Sequence, residues 1–200
     1  MPGSSASAKS AVKKADCSAK KWFGEDSAKG CKACSKCEEK ERERCRLTSF
    51  RPNCCKPPRS TPHHVLPKRC FQKGGKCFIP SPEGGTYPYD KDAAPCICVT
   101  GAARNKQHGR IHKKFDRAER TAGKKDQTWS YADARKAAGE AVQNEFEECT
   151  PECVGAQLDA YHQDELGMTD ETRIRANPGG KGPIPRKALS NTAPGLSTRD

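Results

Sequence analysis

Thirteen cysteines in a chain of 200 residues are the feature that most restricts the fold. Only 33% of the residues are hydrophobic and 6% are aromatic, which excludes a large apolar core over the whole length. Cross-links must therefore help to hold the structure. Disulfides would require an oxidising compartment or export, whereas thiolate zinc sites would suit the cytosol. We expect several disulfides, because small delivered domains with thin cores are commonly stapled in this way.

The cysteines at the N-terminal side form the densest group. Residues 26–47 are charged and free of proline, which predicts a helix, and they contain Cys31, Cys34, Cys37 and Cys45. The first three share one helix face, which favours disulfides to partners elsewhere and leaves a structural zinc site as the alternative. The pairing cannot be deduced from spacing, and the odd total leaves at least one cysteine free, metal-bound or paired outside the chain.

Composition divides the chain into three parts. Residues 1–25 are rich in serine, alanine and lysine without a periodic apolar face, which predicts a flexible linker or N-terminal extension. Residues 26–166 are predicted to form one cysteine-rich domain. From 167 to 200 proline and glycine recur and apolar residues become rare, which predicts a flexible tail.

Regular elements are predicted unevenly within the domain. Ser130 begins a capping box, and residues 132–148 repeat apolar side chains at helical spacing, so a strong helix is expected there. Residues 154–166 predict a second helix, in which His162 is interpreted as a structural or surface residue. Residues 72–95 are interrupted by proline and glycine too often for a long regular element, which indicates an insertion.

Four of the five histidines lie in two short segments. His108 and His112 are four residues apart, so on a helix both imidazoles project from one face and can hold a single metal ion. His63 and His64 are adjacent in a predicted strand, where consecutive side chains point to opposite faces. One imidazole of that pair can then face a metal ion while its neighbour faces a substrate.

Together these segments resemble one superfamily of nucleases. They read Pro-His-His-Val-Leu-Pro at 62–67, the apolar strand Ala-Pro-Cys-Ile-Cys-Val-Thr-Gly at 94–101, and His-Gly-Arg-Ile-His at 108–112. This order is similar to that of the HNH or ββα-metal nucleases, and especially of bacterial polymorphic and type VI-delivered toxins with a Gly-His-His signature. Pro62 stands where that signature has glycine, which changes a backbone position and leaves both imidazoles in place.

The resemblance implies an α+β fold with a ββα-metal core at about residues 54–120 and additional helices on its N-terminal and C-terminal sides. It assigns His64 as the general base that takes a proton from water. It assigns one divalent ion, Mg²⁺, Mn²⁺, Ni²⁺ or Zn²⁺, to His63, His108 and His112. Asn105, the only asparagine between the two histidine segments, is the candidate for the residue that braces the loop behind the base.

The charge distribution agrees with a polyanionic substrate. Residues 101–125 contain nine lysines and arginines against two acidic residues, whereas residues 126–170 contain two against eleven. Arg110, Lys113 and Lys114 flank the predicted metal helix and are candidate phosphate contacts.

The predicted function is that of a metal-dependent, largely nonspecific DNase acting as an antibacterial toxin domain, with a cognate immunity protein as partner. RNA is not excluded by the residues. The chain has no apolar signal segment and no run long enough for a membrane span, so delivery into the cytoplasm of a target cell would use a non-Sec route or a larger parent chain. The alternatives are a cysteine-rich module that binds nucleic acid without cutting it, and a zinc-stabilised structural module.

Overall fold

The computed structural model of the protein describes residues 44–177, apart from 52, 54, 56–59, 74–75, 81–85, 102 and 104. The strands in this part are β1 (Thr48–Ser49), β2 (Thr61–His64), β3 (Gln72–Lys73), β4 (Lys76–Pro80), β5 (Thr86–Pro88), β6 (Pro95–Val99), β7 (Thr128–Ser130) and β8 (Arg173–Arg175). The helices are α1 (Gln107–Ala122), α2 (Tyr131–Gln143), α3 (Pro151–Asp159), a 3-10 helix (Lys68–Phe71) and a π-helix (Ala160–Glu165) that continues α3. The predicted linker at 1–25, most of the predicted helix at 26–47 and residues 178–200 of the predicted tail lie outside the described residues.

The histidine pair lies on an antiparallel sheet of three short strands in the order β1-β6-β2. The apolar strand β6 takes the central position, because most of its side chains are buried. Its register places His63 opposite Ile97 and His64 opposite Cys96. Helix α1 follows β6 and buries Ile111 in the core. Strands β2 and β6 with α1 form the ββα unit of an α+β fold, which confirms the predicted fold class. No helix in the described part of the chain is long and apolar enough to cross a membrane.

The segment between β2 and β6 forms a small separate meander. After the 3-10 helix, β3, β4 and β5 pair in sequence order as antiparallel neighbours. The longest of them has five residues, as the frequent proline and glycine predict. Phe71 before the meander and Tyr89 after it stack with their ring centroids 4.0 Å apart, so the two ends of this insertion meet.

Two helices on the C-terminal side pack against the ββα unit and against each other. The side chain of Ser130 caps α2 by accepting a hydrogen bond from the amide of Asp133, as the predicted capping box requires. The small side chains of α2 are buried, and Gly139 lies where a methyl group would come within 3.0 Å of Pro151 at the start of α3. The close approach of α2 and α3 therefore depends on the absence of a side chain at this position.

Residues 167–177, the first part of the predicted tail at 167–200, include a short strand. Strand β8 pairs antiparallel with β7, with Ile174 opposite Trp129. Ile174 is 1% exposed, and the indole nitrogen of Trp129 donates to the carbonyl oxygen of Arg175 over 3.1 Å. Only three residues form this strand, which is too short to give a periodic signal in the sequence.

Two disulfides are formed between described cysteines, which confirms the expectation of disulfides. Cys45 pairs with Cys149 across a separation of 104 residues, and Cys55 pairs with Cys98 across 43. The first bridge joins the segment before β1 to the turn before α3. The second fastens the loop before β2 to β6. Among the described residues, Cys70 and Cys96 are free and buried.

His162 lies at the centre of an aromatic cluster between the meander and the C-terminal helices. Its ring centroid is within 6.0 Å of those of Phe71, Tyr89, Tyr131 and Tyr161. The side chain is fully buried. Burial lowers the pKa of His162 to about 4, and the hydrogen bond to the carbonyl oxygen of Leu158 only partly opposes that effect. The imidazole is therefore neutral at physiological pH.

Acidification is expected to weaken the fold through His162. Its pKa is about 6.5 in an unfolded chain and about 4 in the folded protein, so the unfolded state binds the proton more readily. The stabilising contribution is complete above about pH 6.5 and is lost as the pH falls towards 4, by about 3 kcal/mol. Urea unfolding with a chelator present, near pH 7 and near pH 4, measures this loss. His162→Phe, which keeps a ring in the cluster, should lose less stability over that range, and an equal loss in both proteins would contradict the assignment.

Candidate metal centre

The alternation of strand β2 separates the two adjacent histidines. His63 points into the protein and is 2% exposed, whereas His64 points to the other face of the strand and is half-buried. His108 and His112 lie in the first turns of α1, one turn apart on the face that meets β2. The strand and the helix thus bring three imidazoles together.

The three imidazoles form a compact group of nitrogen atoms. The ring centroid of His63 lies 4.5 Å from that of His108 and 4.6 Å from that of His112, and the two helix rings are 4.9 Å apart. One ring nitrogen from each residue lies within 4.8 Å of the other two. The Nδ1 atoms of His63 and His108 are buried without a hydrogen-bond partner, so lone pairs are left for a ligand. Among the described residues this is the one group of three or more side chains that could hold a metal ion.

The electrostatics of the site favour neutral imidazoles. Burial, helped by the neighbouring histidines, holds the pKa of His63 well below its usual value. Burial, followed by the nearby charge of Arg69, lowers the pKa of His112 to about 4, and burial also lowers the pKa of His108. Neutral imidazoles carry the lone pair that a cation needs, so the donor set fits a divalent ion near neutral pH.

His64 is held on the other face of the strand by two contacts. Its ring stacks on Phe50 with centroids 4.5 Å apart and planes 22° apart. Its Nε2 lies 2.8 Å from the carbonyl oxygen of Lys91. A carbonyl only accepts hydrogen bonds, so Nε2 carries the proton of the neutral ring and Nδ1 carries the lone pair. Burial lowers the pKa of His64 and the hydrogen bond to Lys91 partly opposes it. His64 can therefore accept a proton at Nδ1.

The turn that supplies the Lys91 carbonyl is fixed by Asp90. One carboxylate oxygen of Asp90 accepts hydrogen bonds from the amides of Asp92 at 2.9 Å and Ala93 at 3.2 Å. Sequence reasoning did not single out Asp90, although an aspartate that accepts from the amide two residues on is a common turn signal. Asn105 is exposed before α1, and its carbonyl oxygen accepts from Arg110 at 2.7 Å. Its role behind the base stays a prediction.

The three candidate phosphate contacts are all exposed on α1. The guanidinium of Arg110 pairs with Glu145, with 2.7 Å between Nε and Oε2. This ion pair fixes the direction of Arg110 towards the loop after α2. Lys113 and Lys114 follow His112 by one and two residues, about 100° and 200° round the helix, so they project away from the metal-binding face.

Arg69 is a second residue that sequence reasoning missed. It lies in the 3-10 helix after β2 and forms an ion pair with Asp116, and its Nη2 lies 2.6 Å from Oε2 of Glu119. Glu119 is fully buried in α1. These ion pairs connect the 3-10 helix after β2 to α1. They therefore help to set the distance between the strand that carries His63 and the helix that carries His108 and His112. The signal in the sequence is weak, since acidic residues three apart on a helix are common.

Comparisons with known proteins agree with this geometry. A family model described as GHH signature containing HNH/Endo VII superfamily nuclease toxin 2 matches residues 60–162, which include all five histidines. The DNase toxin Tse7 of Pseudomonas aeruginosa is 29% identical in an alignment 154 residues long, and the match covers 66% of this chain and 38% of Tse7. The chain thus spans well under half the length of that relative. No solved structure matches the chain.

Proposed function

This chain belongs to the GHH-signature HNH/Endo VII superfamily of nuclease toxins, and from that premise we propose that it is a metal-dependent, largely nonspecific DNase that acts as an antibacterial toxin. The observation that carries the proposal is the convergence of three neutral imidazoles between β2 and α1, with a fourth imidazole held on the other face of β2. The name of the relative Tse7, a DNase toxin, favours DNA over RNA as the substrate.

Within this proposal His63, His108 and His112 would hold one divalent ion. When bound, the ion supplies positive charge that stabilises the phosphate and the leaving oxygen during phosphodiester cleavage. His64 accepts the proton of the attacking water at Nδ1, while its Nε2–H keeps the hydrogen bond to Lys91. The stacked ring of Phe50 restricts rotation of His64, so the lone pair keeps one direction.

The substrate backbone would be held by positive charge near the metal centre. Lys113 and Lys114 are exposed on α1, and within this proposal they contact phosphates further along the backbone from the metal centre. The guanidinium of Arg110 is already held by an ion pair with Glu145 and a hydrogen bond to Asn105. A phosphate would therefore either replace Glu145 as the partner of Arg110 or bind to the remaining N–H groups of its guanidinium. These contacts are to the backbone and carry no base preference, which suits a nonspecific nuclease.

The identity of the ion and the partners belong to the same proposal. Three imidazole ligands suit Zn²⁺, Ni²⁺ or Mn²⁺, and open positions for oxygen would also admit Mg²⁺. A further structural Zn²⁺ at the N-terminal cysteines would involve Cys31, Cys34 and Cys37, which lie outside the described residues. A toxin of this kind also needs a cognate immunity protein in the producing cell and a route into the target cell.

Supercoiled plasmid tests the function directly. The protein is first treated with a chelator, and magnesium, manganese, nickel or zinc is then added back separately. We expect conversion of supercoiled plasmid to nicked and linear forms with at least one ion and none after chelation. Salt-sensitive plasmid binding without cleavage under every ion would instead support a module that holds nucleic acid without cutting it.

A further inference from the structure

The C-terminal helices lie outside the ββα unit, yet they contact the segment that holds His64. We propose that Tyr161, on the π-helix after α3, is a positioning residue for the general base. It acts through the backbone of Asp90, the residue before Lys91. The inference rests on the proposed function, because His64 needs a fixed direction only if it accepts a proton from water.

The link between Tyr161 and the base is short. The hydroxyl of Tyr161 donates to the carbonyl oxygen of Asp90 over 2.8 Å. The next carbonyl along the chain, that of Lys91, accepts from Nε2 of His64 over 2.8 Å. The side chain of Tyr161 is 2% exposed, so it has little freedom to move. One buried hydroxyl therefore fixes the peptide that precedes the contact to His64.

The same turn is anchored at its start by the aromatic cluster. Tyr89 stacks on Phe71, and its hydroxyl lies 3.4 Å from Nε2 of His162. Nδ1 of His162 lies 2.9 Å from the carbonyl oxygen of Leu158, so Nδ1 donates and Nε2 is left to accept from Tyr89. Tyr89 and Tyr161 thus tie consecutive residues of the turn to α3 and the π-helix. The position of the Lys91 carbonyl therefore depends on the position of α3 and the π-helix.

The opposite side of the His64 ring, where Phe50 stacks, has a second support. Gln157, fully buried on α3, accepts from the amide of Leu47 at 2.8 Å and donates to the carbonyl oxygen of Cys45 at 3.0 Å. This pairing holds the segment that leads to Phe50, which stacks on His64. The amide of Arg51, the residue after Phe50, also donates to the carbonyl oxygen of Asp92 in the turn over 2.8 Å. Because the hydrogen bonds of Gln157 hold the Phe50 segment without the Tyr161 hydroxyl, loss of that hydroxyl should loosen mainly the Lys91 side of the ring.

Tyr161→Phe isolates this contribution, because it removes the hydroxyl and keeps the ring. Tyr131→Phe is the matched control. Tyr131 is buried in the same cluster, and its hydroxyl donates to Asp159 instead of to the turn. We expect kcat for a fluorescent DNA duplex to fall about ten- to a hundredfold in Tyr161→Phe, as for a catalytic group displaced by up to about 1 Å. The KM and the affinity for nickel, measured by titration, should stay unchanged, and Tyr131→Phe should behave as the wild type.

A second readout does not depend on catalysis. In protein labelled with ¹⁵N-histidine, the Nε2–H of His64 should give a resonance protected from exchange with water, because it donates to Lys91. This resonance should broaden in Tyr161→Phe and persist in Tyr131→Phe. If the wild type cleaves no DNA, the proposed function fails while this comparison still tests the link. Equal behaviour of the two variants, in the resonance or in kcat, would overturn the role of Tyr161.

Discussion

Replacing His64 with alanine is expected to reduce the rate of DNA cleavage by about 10²- to 10⁴-fold, the range typical of a lost general base. The variant should still bind a divalent ion, because the three ligand candidates lie on the other face of β2 and on α1. The ring of His64 packs on Phe50 at a half-buried position, so its removal should leave the ββα unit folded. Plasmid cleavage rates, nickel titration and circular dichroism measure the three effects.

His108→Ala provides the contrast for that experiment. It removes one of the three grouped imidazoles, so we expect it to lose both nickel binding and cleavage. A His64→Ala protein that cuts at the wild-type rate would remove His64 from the mechanism. A His64→Ala protein that no longer binds nickel would instead place His64 among the metal ligands, against the geometry of β2.

The parts of the site that follow from local rules are accessible from the sequence. A strand alternates its side chains, so His63 and His64 must face opposite ways, and a helix aligns His108 with His112. The structure brings the predicted ligand candidates His63, His108 and His112 together. The apolar run in β6 and the capping box before α2 are equally local, and both elements are present.

The parts that depend on tertiary packing are not accessible in this way. Lys91 reaches His64 from 27 residues away, and Tyr161 reaches Asp90 from 71 residues away. No periodicity or motif connects such pairs, since an exposed loop carbonyl and a buried tyrosine are common anywhere. The disulfide pairing is hidden for the same reason, because any cysteine could reach another once the chain is folded. The contacts that hold His64 can therefore be identified only from the folded structure.

Loss of the Cys45–Cys149 disulfide is the second large effect that we expect. The bridge closes a loop of 104 residues, and by loop-closure entropy its removal should lower the free energy of unfolding by about 4 to 5 kcal/mol. That is a large part of the stability of a domain of this size, which is about 5–15 kcal/mol. The bridge also holds the segment before β1, in which the amide of Leu47 donates a hydrogen bond to the side chain of Gln157. Urea unfolding of the Cys45→Ala/Cys149→Ala protein measures the loss.

Cys70 and Cys96, which are the free cysteines of the described residues, provide a matched control for that double variant. Cys70→Ala/Cys96→Ala also removes two buried sulfur atoms but breaks no cross-link. Its loss of stability should therefore come from packing alone, at about 1 kcal/mol for each small buried group. If the two double variants unfold at the same urea concentration, the bridge contributes no more than its packing, and the thin apolar core of this toxin domain would be sufficient without it. A clearly larger loss for Cys45→Ala/Cys149→Ala would show that the cross-link compensates for the scarcity of hydrophobic residues.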